Sequence, residues 1–96
     1  MATVTITGTF KNSGNNGVSI DVHRSNPDKY WFGKHYDQSF TKVLDDLVSD
    51  RVYSVTYEGH TTGTFEIEVK GDVVAIKSAS HGPGPFSDNG FTFRTK

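Results

Sequence analysis

The sequence predicts a mainly β protein, an antiparallel β-sandwich or strongly curved sheet of about seven strands with one amphipathic α-helix near residues 39–50. Polar and apolar residues alternate with a period of two along most of the chain, and clusters of Gly, Asn, Ser and Pro separate the alternating runs. The intervening segments are too short for parallel crossovers, so the strands must pair mainly antiparallel. A chain of 96 residues has room for one domain, residues 1–96, with one core.

The first run, Thr3 to Phe10, places Thr at every second position and puts Val4, Ile6 and Phe10 on a dry face. Asn12-Ser13-Gly14-Asn15-Asn16-Gly17 favours turns, and Val18 to Val22 alternates again, so the two runs are expected to form a β-hairpin. Pro27 breaks the chain. Lys29 to Tyr36 is expected to be an aromatic strand with a bulge at Gly33.

The period then changes. Phe40, Val43, Leu44, Leu47 and Val48 fall at i, i+3, i+4, i+7 and i+8, the stripe of an amphipathic helix, with Asp37 or Ser39 as its N-cap. Two-residue alternation returns in Tyr53-Val55-Tyr57 and in Phe65-Ile67-Val69. Val73 to Ala79 reads as a further strand, Ser80 to Gly90 as a long loop and Phe91 to Arg94 as the last strand. The expected core is Val4, Ile6, Val18, Ile20, Leu44, Leu47, Val55, Tyr57, Phe65, Ile67, Val69, Val74, Ile76 and Phe93.

Ten basic and eleven acidic residues give a net charge of −1, which offers nothing to nucleic acid or to an anionic membrane surface. No apolar run reaches the ~18 residues a helical span needs, so membrane insertion is not expected. The N-terminus carries no signal-peptide pattern, which leaves a cytoplasmic protein, leaderless export or a trimmed mature form, and the localisation open. The chain has no cysteine, which removes disulfides and thiolate chemistry.

Catalysis finds little support. His23, His35, His60 and His81 stand in four separate segments without metal-ligand spacing, and neither a nucleophile elbow nor a phosphate loop occurs. The pairs Asp45/Asp46 and Glu66/Glu68 read as solvated faces. No enzyme activity, metal or cofactor is therefore expected.

Binding is the better reading. Tyr30, Trp31 and Tyr36, with Asp37 beside them, bring flat aromatic faces and a hydrogen-bonding group into one short stretch. Asn15 and Asn16 in one loop and Asp88 and Asn89 in another add side chains able to read hydroxyls. Together they predict a non-catalytic, carbohydrate-binding or lectin-like module whose partner is a glycan. The alternative is a protein-interaction module, such as an inhibitor, an adhesion-type domain or an assembly subunit, acting through its loops or an edge strand.

Overall fold

Alternation is realised as extended backbone along most of the described residues. The computed structural model describes residues 1–12, 14–25, 29–87 and 90–96. Among them, nine strands form: β1 (Ala2–Phe10), β2 (Gly17–Arg24), β3 (Lys29–Tyr36), β4 (Phe40–Leu47), β5 (Val52–Thr61), β6 (Phe65–Gly71), β7 (Lys77–His81), β8 (Gly84–Ser87) and β9 (Phe91–Arg94). They make two antiparallel sheets. The first has the order β4-β1-β6-β7 and the second β3-β2-β5-β8, with β9 also paired to β5.

The inward side chains of both sheets share one hydrophobic cluster, the arrangement of a sandwich. Val4, Ile6, Ile67 and Val69 come from the first sheet, Val18, Ile20, Val22, Val55 and Tyr53 from the second, and all are essentially inaccessible to water. Each such side chain contributes roughly 1.5–3 kcal/mol when fully buried. Burial alternates strictly along β1 and along most of β5, as the sequence pattern requires.

Several expectations are corrected. Residues 40–47 are strand β4 and no helix forms. Phe40, Lys42 and Leu44 face inward opposite Gly8, Ile6 and Val4; a bulge then absorbs one extra residue, and Leu47 faces inward opposite Ala2. Val43, on the predicted helix stripe, is instead 51% exposed.

The expected β1–β2 hairpin is absent because β1 and β2 lie in different sheets, joined as an arch across the end of the sandwich. The bulge in β3 falls at Trp31, since Val22 opposes Phe32 while His23 opposes Tyr30; Gly33 pairs regularly with Asp21. Val74 and Ile76, expected in the core, are 64% and 65% exposed. Gly71 turns the chain at φ 112°, and the Val74 N–H bonds the Arg94 carbonyl at 2.8 Å, so the segment leaves β6 and only Val73 plugs the core. The expected loop 80–90 contains β8, whose Phe86 is buried.

Both open sides of the sandwich are laced. On the β3–β4 side, the Tyr36 ring stacks on Phe40 at 3.8 Å, Lys42 Nζ stands 5.0 Å from the Phe32 ring, and the Trp31 indole N–H donates to Asp46 at 3.1 Å. On the β7–β8 side, Phe65 stacks on Phe86 at 5.1 Å, His81 stacks on Phe86 at 4.9 Å, and the Tyr57 hydroxyl meets His81 Nε2 at 2.7 Å.

Candidate functional site

The residues expected to bind ligand do not converge. Trp31 and Tyr36 lie in the β3–β4 seam, Asn15, Asn16 and Asp37 at one end of the sandwich, and Tyr30 on the solvent face of the second sheet. Asp88 and Asn89 lie outside the described residues.

The seam positions follow from the bulge. The extra residue in β3 turns the Trp31 ring inward, edge-on to buried Tyr53 at 5.7 Å. Lys29 Nζ stands 5.1 Å and Arg24 Cζ 5.7 Å from its ring. Cations of the chain itself already occupy the surroundings of the indole, so a stacking sugar has to displace them. Tyr36 is covered by Phe40 and approached by Lys34 at 5.2 Å, and burial raises its phenol above the ordinary 10.0.

At the end of the sandwich, Asn16 is used by the arch itself. Its amide N–H₂ donates to the carbonyls of Asn12 and Gly14, and its Oδ1 accepts from the Thr61 hydroxyl at 2.8 Å and the Thr62 N–H at 3.3 Å. Asn12 also bonds the Thr62 hydroxyl. These contacts tie the β1–β2 arch to the β5–β6 connection. Asp37 and Asn15 remain exposed; Asp37 edges a hollow of about 340 Å³ with Asn16, Gln38 and Ser39. No group of three or more His, Asp or Glu suited to a metal ion occurs among the described residues.

Tyr30 is different. The bulge that turns Trp31 inward shifts Tyr30 to the outward face, opposite His23, where the residue is 57% exposed. Its hydroxyl end lies over Gly33, next to Asp21 Oδ1; a side chain at 33 would collide with both. The glycine therefore gives the tyrosine a floor to lie on. Register then builds a grid on three strands. Ser19 opposes His35 on one side and Glu58 on the other, and Asp21 opposes Gly33 and Thr56. Ser19, Asp21, Thr56 and Glu58 line a shallow hollow of about 280 Å³.

The outward face of the first sheet provides a contrast. Thr7, Thr9, Glu66, Glu68, Ser78 and Ser80 line a depression of about 500 Å³, but it has no aromatic wall. Glu66 and Glu68 there pair with Lys11 at 3.2 Å and Lys70 at 3.7 Å.

Sequence reasoning missed Ser19, Asp21, Thr56 and Glu58. Alternation marks each as outward-facing, yet only the β2–β5 register brings them together beside Tyr30. The chain matches no protein-family model, no curated protein and no solved structure.

Proposed function

We propose that the protein is a non-catalytic carbohydrate-binding module whose platform is Tyr30 on the outward face of the second sheet. The observation that carries this reading is the exposed Tyr30 ring lying over Gly33, beside Asp21 and the Ser19–Thr56–Glu58 hollow. An exposed aromatic face packs against the apolar C–H face of a sugar ring. Carboxylates at Asp21 and Glu58 accept from sugar hydroxyls, and the Ser19 and Thr56 hydroxyls both donate and accept. Trp31 acts in this reading as a support for the strand that presents Tyr30.

The test is a calorimetric titration against a panel of neutral and acidic saccharides. Tyr30→Ala is expected to weaken binding at least about tenfold, or ~1.4 kcal/mol. Its effect on folding stability should stay within about 0.5 kcal/mol, because the ring is mostly solvent-exposed. A panel without a binder, or a Tyr30→Ala variant that binds normally, removes the reading.

A second reading, protein recognition, draws on Val74 and Ile76, which project from the β6–β7 connection beside an apolar hollow of about 190 Å³ that Val52, Ala75 and Phe93 help line. Sedimentation of the wild type and of Val74→Ser/Ile76→Ser over a range of concentrations tests whether this patch receives a second copy of the chain.

A further inference from the structure

Gly17 leaves a bare notch on the outward face of β2, and two imidazoles lean over it from the strands on either side. A Cβ placed on Gly17 would stand 3.2 Å from His60 Cε1, 3.3 Å from His35 Cε1 and 3.4 Å from His35 Nε2. His60 belongs to β5 and opposes Gly17 directly; His35 belongs to β3 and opposes Ser19. Both side chains are exposed, so their rings can turn about χ1 and χ2 without disturbing the core.

His35 is also oriented. Ser19 Oγ lies 2.9 Å from its Nδ1. With Nδ1–H donating to that hydroxyl, the lone pair falls on Nε2, the nitrogen that points into the notch; metal-bound histidines are held by an outer-shell hydrogen bond of this kind. Asp21 and Glu58 stand on the same face and favour an incoming cation.

We infer that His35 and His60 form a two-histidine site for a divalent first-row transition-metal ion over the Gly17 notch. Two neutral imidazoles without a thiolate suit copper(II), nickel(II) or zinc(II), and copper(II) binds most strongly in the general affinity order. Among the described residues no third His, Asp or Glu completes a protein-only coordination sphere. The remaining positions therefore fall to water or to oxygen atoms of a bound molecule, which makes the site an open one. It does not depend on saccharide binding at Tyr30.

Copper(II) chloride added to the intact protein at neutral pH tests the site, followed by calorimetry and by electron paramagnetic resonance. The expected result is one ion per chain, with nitrogen couplings from two imidazoles. His35→Gln and His60→Gln should each lower the affinity at least about tenfold, because either change turns a chelate into a single contact. Gly17→Val should do the same by filling the notch, with an unchanged far-ultraviolet circular dichroism spectrum, and Ser19→Ala should weaken binding by about tenfold. The terminal amine, His23 and His81 are present in every variant, so their background stays constant. Affinity within twofold of wild type in either histidine variant, or a spectrum with a single imidazole, would overturn the site.

Discussion

The two open sides of the sandwich solve one problem with different chemistry. Along β3–β4, rings meet cations: Lys42 lies over Phe32, Lys29 and Arg24 beside Trp31, and Lys34 over the Tyr36 ring that stacks on Phe40. Along β7–β8, rings meet rings, with His81 between Phe86 and the Tyr57 hydroxyl. The first side borders solvent, so its rings are only half-buried and charge can cover them. Phe65, Tyr57 and Phe86 on the second side are buried, and there the polar tips must find protein partners. An inward-pointing Lys42 on edge strand β4 also discourages another strand from adding there.

The comparison predicts an order of effects. Phe86→Ala removes a buried ring from two stacks and should cost about 3–5 kcal/mol of unfolding free energy in urea. Trp31→Ala, on the half-buried side, should cost about 2 kcal/mol by the same measurement. Equal losses would mean that the two sides carry equal weight. Tyr57→Phe keeps the ring but drops the bond to His81, and about 1 kcal/mol is expected. A double-mutant cycle on Tyr36 and Phe40 should return a coupling of about 0.5–1.5 kcal/mol, and zero coupling would reduce their stack to simple area burial.

Alkaline titration sharpens the contrast. Burial raises the phenols of Tyr57 and Tyr36, one on each side, above 10.0. The unfolded chain loses these protons first, so their contribution is complete below pH 10 and fades as the pH rises through the folded values. Tyr57→Phe should flatten this alkaline loss more than Tyr36→Phe, because Tyr57 is the more buried ring. Denaturation midpoints between pH 9 and 11.5, a range spanning the tyrosine titration, decide the matter.

Much of the core was legible because inward residues of β1, β2, β5 and β6 keep an unbroken period of two. β4 was not, for a specific reason. Its inward apolar residues Phe40, Leu44 and Leu47 are separated by four and then three positions, with Lys42 taking an inward place and a bulge shifting the phase after Leu44. That spacing is the same as a helical stripe. The bulge at Trp31 worked the same way on the candidate site. Composition marked the aromatic stretch, but only the register sends Trp31 inward and Tyr30 outward. Val74 and Ile76 misled because apolar character on both faces suggests a covered strand, whereas here the chain bends away after Gly71.

The position of β1 has a further consequence. It lies between β4 and β6, so the N-terminal strand gains neighbours only from residues 40–47 and 65–71. During synthesis β1 gains β4 as soon as residues 40–47 have emerged, but its other edge must wait unpaired for residues 65–71, and its sheet is completed only when β7 arrives. Nascent chains that expose residues 40–47 but not 65–71 should therefore be only partly protected from protease along β1, and full protection should appear once the β6 segment clears the exit tunnel.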